Sequence, residues 1–267
     1  MGHHPPSDRF LSKEELREAE VHHPLRVVMC NNCALVQLQD TVDPEFLFTD
    51  KFVYRTGHNQ TLRTHFEDLV TELVHRYDLG DGDFVVDIGS NGGTLLSYYP
   101  DALDVLGIDP SRAADIAIEN DIPTRQEFFT ADLAEELAET HGRADVITCT
   151  NTFAHVADLE SLMSGIERLL TDDGVFVQES HYLLDLVEGM QYDEIYHEHL
   201  RYYSLTALVN LFEQFGMEVV EAERVPPHGG SIKTVAARAG THEVDESVTR
   251  LLAEEQKAGI DHHAGLT

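Results

Sequence analysis

Residues 192–203, which read YDEIYHEHLRYY, concentrate side chains that can exchange protons. Two histidines, three acids and four tyrosines occupy these twelve positions. Histidine and carboxylate side chains serve as general bases, and hydroxyl groups stabilise a negative charge that develops on oxygen. The same composition also suits a solvated polar loop with incidental histidines. Because the residue types leave both interpretations open, the elements that hold this segment must be identified.

A second informative segment, VVDIGSNGGTLL at residues 85–96, orders a strand, a glycine-rich turn and the start of a helix. In this arrangement backbone N–H groups face a ligand at the carboxyl edge of a sheet. A dinucleotide fingerprint requires G-x-G-x-x-G, but Asn91 stands two positions after Gly89. The segment therefore predicts a bound ligand, with NAD as the weaker choice. An ordinary turn of an α/β domain is the alternative.

Strand and helix patterns alternate through the middle of the chain, from FVVDIG at residue 84 to GVFVQES. They predict a mostly parallel sheet with helices on both faces. One apolar helical face from Leu62 to Tyr77 precedes them, and a helix is expected after SNGG. The later runs MEVVEAERV and SIKTVAARA predict an antiparallel edge hairpin. We expect a small N-terminal module over 1–56, a main domain over 57–240, and a C-terminal helix over 241–267 that begins a further domain.

Charge and hydropathy limit the classes of protein to consider. The 267 residues include 18 basic and 49 acidic side chains, for a formal charge of −31. Without a basic stripe, nucleic acid is not expected as a partner. No apolar run approaches the roughly 20 residues of a membrane span, and no signal-peptide pattern opens the chain. The acids are spread along every segment, which favours a salt-screened acidic surface. We expect a cytoplasmic, halophilic protein.

The glycine turn resembles the D/E-x-G-x-G-x-G turn of class I S-adenosylmethionine-dependent methyltransferases. Asp87, Gly89 and Gly93 are in register, and Asn91 replaces the middle glycine. Asp109, in GIDPS after the next strand, falls where that superfamily keeps an acid for the ribose hydroxyls. The resemblance implies a Rossmann-like methyltransferase fold and S-adenosylmethionine as cofactor. The residues implied to bind it are Asp87, Gly89, Ser90, Asn91, Gly93, Asp109 and Asn151.

Three further segments, HPLRVVMCNNCALVQL, IYHEHLRYYSL and PPHGGSIKTV, resemble the sugar C-methyltransferases that act on nucleotide-linked 4-keto-deoxysugars. Members carry a zinc-binding module, a methyltransferase domain and a C-terminal domain. Relative to them, this chain is expected to be truncated at both ends. The resemblance implies a small-molecule substrate, namely a nucleotide-sugar, and methylation of carbon through an enolate. That chemistry needs a base for the proton next to the keto group.

By the same resemblance, His199 is the base, Tyr196 and Glu198 lie beside it, and His155 is a second active-site histidine. The nearby acids, including Glu198 and Glu194, predict a raised pKa for His199 and a working pH at or above neutrality. The residues implied to contact the substrate are Tyr54, His228, Gly229, Gly230 and Ser231. Transfer to oxygen or nitrogen of another small molecule stays an alternative, as does a cofactor-binding protein without turnover.

The metal prediction rests on one cysteine pair. The family's zinc module uses two C-x-x-C pairs, whereas this chain has only Cys30 and Cys33 in that spacing. Two thiolates cannot complete a tetrahedral zinc site. The histidines that could supply the missing ligands are His3, His4, His22 and His23. Zinc on Cys30 and Cys33 is therefore a hypothesis with an incomplete ligand set.

Overall fold

The computed structural model describes residues 1–7, 10–47 and 59–261. Helices α1 to α8 span Pro44–Leu47, Gln60–Arg76, Ala113–Glu119, Ala131–Thr140, Leu159–Leu169, Leu183–Glu188, Leu205–Glu213 and Glu246–Ala258. Strands β1 to β12 span Gly2–His4, His23–Leu25, Val27–Met29, Val36–Leu38, Phe84–Ile88, Asp104–Ile108, Thr124–Arg125, Ala144–Thr150, Leu170–His181, Arg201–Tyr202, Met217–Val225 and Ser231–Arg238. Short 3₁₀ turns lie at Glu15–Arg17, Leu96–Tyr98, Phe153–His155, Tyr192–Glu194 and Pro227–Gly229.

A seven-stranded sheet in the order β11-β12-β9-β8-β5-β6-β7 forms the centre of the main domain. Strands β5 to β9 pair in parallel, whereas β12 pairs antiparallel with β9 and β11. Every residue of β5 is buried, as expected for a strand covered by helices on both faces. The arrangement confirms the predicted α/β sheet with its antiparallel edge hairpin.

Helix α2 covers one face of this sheet with the apolar stripe that its sequence predicts. Leu62, Phe66 and Leu73 are among its buried residues. The side chain of Asn59 accepts hydrogen bonds from the backbone N–H groups of residues 61 and 62, which caps the helix start. The opposite face is covered by α4, α5 and α7, whose leucines join the larger apolar cluster.

The α-helix predicted directly after SNGG is wrong. The structure has only the single 3₁₀ turn Leu96–Tyr98 there, and Tyr99 already has an extended backbone with ψ of 142°. Pro100 follows, and the residue before a proline is driven out of the helical region by a clash with the ring. Between the glycine turn and Pro100, too few residues remain for an α-helix.

The N-terminal module is joined to the segment that concentrates the titratable groups. Strands β3, β4 and β10 form a small antiparallel sheet, in which Arg201 lies opposite Gln37. The backbone N–H of Leu38 also donates to the carbonyl of Leu200 at 2.8 Å. This pairing fixes the chain immediately after His199. Among the described helices, none is long and apolar enough to cross a membrane.

Helix α8 is attached to the main domain by a buried carboxylate. Glu255 accepts hydrogen bonds from the hydroxyl of Tyr182 at 2.8 Å, from the backbone N–H of Leu205, and from the N–H and hydroxyl of Thr206. The two backbone groups belong to the first turn of α7, where free N–H groups favour an anion. Glu255 thus caps the helix that follows the titratable segment.

We expect Glu255→Ala to lower the free energy of unfolding by at least about 3 kcal/mol, because each hydrogen bond to a charged group contributes about 1.5–3 kcal/mol. Urea denaturation monitored by circular dichroism measures the loss. The control Glu254→Ala removes a half-exposed carboxylate from the same turn of α8 and should change stability little. Equal midpoints for the two variants would contradict the capping role.

Candidate active site

A cavity of about 520 Å³ lies at the carboxyl ends of β5, β6 and β8. Open α/β sheets bind their ligands at this edge. Asp87 and Asp109 line it from the ends of β5 and β6, and Asn151 from the end of β8. His155 and His199 line the same cavity. The cavity therefore brings the glycine turn and the titratable segment, which are about 100 residues apart in the chain, into one site.

The glycine turn keeps its shape despite the asparagine in its centre. Gly89 has a φ of 78°, and a Cβ there would come within 2.0–2.6 Å of the Thr152 side chain. Asn91 has a φ of 50°. Asparagine enters this left-handed region more readily than other residues with a side chain, since its short polar group bonds locally. The replacement therefore preserves the backbone path that the sequence comparison required.

Asp109 organises this end of the cavity. Its carboxylate accepts the backbone N–H of Asn91 at 2.9 Å and the N–H of Ser111 at 2.8 Å. Ser90 and Asn151 each hold a buried side-chain oxygen that has no hydrogen-bond partner among the described residues. These polar groups, clustered around a glycine turn at a sheet edge, fit a ligand with several hydroxyl or amino groups, such as a nucleoside.

Asp87, at the end of β5, is fully enclosed. Its carboxylate accepts a hydrogen bond from the Thr148 hydroxyl at 2.6 Å. Burial and, to a smaller extent, the charge of Asp109 raise the pKa of Asp87, and the hydrogen bond from Thr148 lowers it; the net pKa is about 7. The charge of Asp87 therefore changes close to neutral pH.

The geometry of His199 defines which of its ring nitrogens can take up a proton. Nδ1 lies 2.9 Å from the backbone oxygen of Glu194, and Nε2 lies 2.8 Å from the hydroxyl of Tyr196. A carbonyl oxygen only accepts hydrogen bonds, so we assign the proton to Nδ1. Nε2 then holds a lone pair that accepts from Tyr196. The neutral ring is in the tautomer that a base facing the cavity requires.

The predicted raised pKa of His199 is wrong. Burial lowers the pKa well below its usual value, and the neighbouring His155 and His181 lower it further. Their ring centroids lie 5.0 Å and 4.4 Å from that of His199. The acid expected to raise the pKa, Glu194, has its carboxylate 3.3 Å from Nε2 of His181 but 3.9 Å from Nδ1 of His199. Desolvation and like charge therefore exceed the effect of the acids.

The other predicted residues of this end also meet in the cavity. Nδ1 of His155 lies 2.7 Å from the backbone oxygen of Glu198, and burial lowers the pKa of His155 to about 4. The Glu198 side chain is buried in the cavity wall and accepts the hydroxyl of Ser7 at 3.3 Å. His228 lines the cavity with a left-handed backbone, and its ring centroid lies 5.4 Å from that of His181.

Not every predicted residue reaches the cavity wall. Gly229, Gly230 and Ser231 shape the turn behind His228, and the hydroxyl of Ser231 donates to the backbone oxygen of Pro227 at 3.1 Å. A substrate contact for these three residues stays a prediction. Tyr54, the remaining predicted substrate contact, lies outside the described residues.

Cys30 and Cys33 lie in the turn between β3 and β4, where the Cys30 N–H donates to the Leu35 oxygen at 2.8 Å. Backbone N–H groups, first that of Asn32, lower the pKa of Cys30, whereas burial raises that of Cys33. Over the part of the chain that the structure describes, no His, Cys, Asp or Glu joins the pair as a third ligand. The described residues therefore do not supply the four ligands of a tetrahedral zinc ion.

Two members of the site, His181 and Phe128, were not identified from the sequence, and Glu194 was considered only as a neighbouring charge. His181 is the last residue of β9, and Phe128 follows β7; both side chains line the cavity. The signal available in the sequence was position, because residues just after parallel strands meet at one sheet edge. A histidine that ends QESH could have been selected on that ground.

Two sequence-family profiles match this chain. A profile described as "Methyltransferase domain" matches residues 59–222, which is more than half of the chain. The chain belongs to the methyltransferase domain family. A second profile, described as "Putative zinc binding domain", matches residues 1–48. The two matches correspond to the sheet domain with its cavity and to the N-terminal module.

Among similar proteins, the C-methyltransferase NovU of Streptomyces niveus is 38% identical over 263 residues, which cover 97% of this chain and 62% of NovU. The uncharacterised methyltransferase YcgJ of Bacillus subtilis strain 168 is 29% identical over 104 residues, or 37% of this chain and 40% of YcgJ. The chain therefore spans less than two thirds of the length of these relatives.

Solved structures show the fold. An S-adenosylmethionine-dependent methyltransferase of Clostridium acetobutylicum ATCC 824 has a TM-score of 0.52 at 14% identity, covering 67% of this chain and 92% of its own. The magnesium protoporphyrin IX methyltransferase of Synechocystis PCC 6803, solved with bound SAH, has a TM-score of 0.50 at 15% identity, covering 68% and 88%. These likenesses confirm the predicted class I methyltransferase fold.

Proposed function

We propose that the protein is an S-adenosylmethionine-dependent methyltransferase that methylates the carbon next to the keto group of a nucleotide-linked deoxysugar. The observation that carries this proposal is the single cavity that is lined by the glycine turn, by Asp109 and by the buried His199. Donor and acceptor must meet in one enclosed site for methyl transfer. The 38% identity to a C-methyltransferase supports carbon as the acceptor.

The residues at the glycine-turn end suit S-adenosylmethionine, which when bound supplies an electrophilic methyl group on a sulfonium cation. Asp109 would accept hydrogen bonds from the ribose hydroxyls, and the turn N–H groups would face the cofactor. Asp87 would place a negative charge near the cationic end of the ligand. The oxygens of Ser90 and Asn151, which lack partners among the described side chains, would accept from its amino groups.

At the other end, His199 carries the proton chemistry. Its Nε2 lone pair takes the proton from the carbon next to the keto group, and the electron pair remains on the substrate as an enolate. The Tyr196 hydroxyl, which contacts Nε2 before proton transfer, would then be released to donate to the enolate oxygen. His155 and His228 line the same cavity and would contact the acceptor. With S-adenosylmethionine bound, the enolate carbon would form a bond to the sulfonium methyl group while the S–CH3 bond breaks, leaving S-adenosylhomocysteine.

Mass spectrometry of nucleotide-linked 4-keto-deoxysugars incubated with enzyme and S-adenosylmethionine tests the proposal. We expect a gain of one methyl group, and NMR should show a new methyl carbon bonded to the carbon next to the keto group. A methyl bonded to oxygen or nitrogen would replace the C-methyltransferase assignment. Cofactor binding without any methylated product would support a binding protein without turnover.

Cofactor affinity should depend on pH through Asp87. Its pKa of about 7 is raised by burial, so the group is neutral below that pH and anionic above it. The anionic form of Asp87 attracts a cationic ligand. S-adenosylmethionine should therefore bind about tenfold more tightly at pH 8 than at pH 6, which corresponds to a difference of about 1.4 kcal/mol in binding free energy. Isothermal titration calorimetry measures the affinity. Asp87→Asn should remove the dependence, and a wild-type affinity constant across this range would contradict it.

We further propose that the protein works in a salt-rich cytoplasm. The formal charge of −31 supports this, because such a surface repels itself unless counterions screen it. The melting temperature should therefore rise from low salt to about 1 M KCl, where the Debye length is about 3 Å. Differential scanning fluorimetry at graded KCl measures it. A melting temperature that does not change with KCl concentration would contradict the proposal of a salt-rich cytoplasm.

The division into an N-terminal module over 1–56, a methyltransferase domain over 57–240 and a C-terminal segment over 241–267 is also our proposal. The profile boundaries at residues 48 and 59 support the first border. Within the last segment, Glu255 of α8 accepts hydrogen bonds from Tyr182 and Thr206 of the main domain. No catalytic step is assigned to zinc, since Cys30 and Cys33 do not fit a complete site.

A further inference from the structure

We propose that Glu194 is a positioning residue for the base His199 and supplies the negative counter-charge when His199 takes up a proton. His181 shares the Glu194 carboxylate and thereby limits the negative charge that acts on His199. The inference rests on the proposed function of His199. Neither the family profiles nor the sequence resemblance assigns a role to Glu194 or His181.

Glu194 contacts the base in two ways. Its backbone oxygen lies 2.9 Å from Nδ1 of His199, which fixes the ring orientation and the tautomer. Its carboxylate oxygen lies 3.9 Å from the same Nδ1. A carboxylate that orients an imidazole and stabilises the imidazolium formed on proton uptake is the arrangement of hydrolytic triads. Here one residue provides both the orienting carbonyl and the nearby negative charge.

His181 competes for that carboxylate. Its Nε2 lies 3.3 Å from the Glu194 oxygen, closer than Nδ1 of His199, and the two rings have centroids 4.4 Å apart. The bond from His181 lowers the pKa of Glu194, so the carboxylate stays ionised. The side chain of His181 is only 10% exposed, whereas that of Glu194 is 30% exposed. Glu194 is thus the more exposed member of the pair.

The other charged groups described around His199 do not form an ion pair with its ring, as the Glu194 carboxylate does. The groups that face it or its neighbours from the packed elements are His155, Tyr196, Glu198, His228 and, beyond His228, Glu179 with His65. Two of these are histidines that lower the pKa of His199 when charged. Nε2 of His65 lies 2.6 Å from the Glu179 carboxylate, so that carboxylate is already paired. Within the described residues, Glu194 is the acid that the ion-pair distances place beside His199.

The chemical step balances with these groups. The substrate C–H bond breaks, its proton forms an N–H bond at Nε2 of His199, and its electron pair remains on the substrate as the enolate. The ring then carries one positive charge, which the Glu194 carboxylate offsets across 3.9 Å. After methyl transfer, the proton returns to water. A weaker counter-charge makes the ring a weaker base and slows the first step.

The test is an NMR titration of His199 in protein labelled with ¹⁵N-histidine, without substrate, for the wild type, Glu194→Gln and His181→Asn. Glu194→Gln removes the negative charge and should lower the pKa of His199 by about one unit, equivalent to about tenfold in proton affinity. His181→Asn removes a like charge and frees the carboxylate, so the pKa should rise. Asp193→Asn, which removes an exposed acid from the same 3₁₀ turn, should leave it unchanged.

Kinetics provide the second readout. Glu194→Gln should reduce kcat about tenfold with KM nearly unchanged, in line with a one-unit loss of basicity. Glu194→Asp, which keeps a carboxylate, should restore part of the rate. Shifts of the His199 pKa in the same direction for both variants, or no shift, would overturn the inference. If the His199 pKa falls in Glu194→Gln and rises in His181→Asn, but the wild type transfers no methyl group, the inference about Glu194 holds and the proposed function fails. The two failures can therefore be told apart.

Discussion

His199→Asn is expected to reduce turnover by about 10²–10⁴, the range attributed to general-base catalysis. Asparagine keeps a polar side chain of similar reach but has no nitrogen lone pair that can accept the substrate proton. Cofactor affinity should stay nearly intact, because the groups proposed to hold the cofactor, Asp109 and the glycine turn, belong to a different segment of the cavity wall from His199. Tyr196→Phe should cost less, since its hydroxyl donates a hydrogen bond but does not take up the proton.

The direct measurement is solvent deuterium entering the substrate at the carbon next to the keto group, followed by NMR. S-adenosylhomocysteine is present to fill the cofactor end without transferring a methyl group. Exchange should be lost in His199→Asn and retained in His141→Asn, a substitution at a histidine that stacks on Phe84 away from the cavity. Exchange that persists in His199→Asn but disappears in His155→Asn would move the base role to His155.

The pH dependence of this reaction follows from the lowered pKa of His199. A base works in its neutral form, so activity is lost as the pH falls through its pKa. Burial and the neighbouring histidines hold the pKa of His199 well below the usual value, so activity that depends on this base should persist to lower pH than with an unperturbed histidine. The expectation of a working pH at or above neutrality, which the sequence suggested, is replaced by this one.

Asp109→Ala is expected to weaken S-adenosylmethionine binding by about 10-fold to 100-fold for each ribose hydrogen bond lost, since a bond to a charged group contributes about 1.5–3 kcal/mol. The substitution also frees the N–H groups of Asn91 and Ser111, so part of the loss reflects a looser glycine turn. Calorimetry with S-adenosylmethionine measures the affinity. Asp109→Asn keeps one acceptor oxygen and should lose less.

Asp115→Ala is the matched control, because it removes an exposed carboxylate from the first turn of the neighbouring helix α3. It changes the net charge equally and should leave the affinity within about twofold of the wild type, as expected of a screened surface charge. Equal losses for Asp109→Ala and Asp115→Ala would show that net charge, not ribose contact, governs binding. Tight binding of NAD by the wild type would argue against the cofactor assignment.

Local patterns were enough to predict the elements and the ligand end of the cavity. The period of α2, the alternation of strands and helices, and the D-x-G-x-N-x-G turn depend on residues close together in the chain. Asn91 could be aligned with a glycine because the backbone conformation it must adopt is a local property. The helix expected after SNGG shows the limit, since Pro100 ended it within one turn.

The sequence by itself determined which chemical groups are present, the order of the elements and the family that they resemble. Only the tertiary structure decided how those groups behave. A pKa depends on desolvation and on charges that come from distant positions in the chain. Burial and the neighbouring histidines therefore lower the pKa of His199, although the acids that predicted a raised pKa lie nearby. His181 enters the site only because β9 ends at the sheet edge where β5, β6 and β8 also end. The pairing of strands separated by many residues, which no local pattern specifies, places it there.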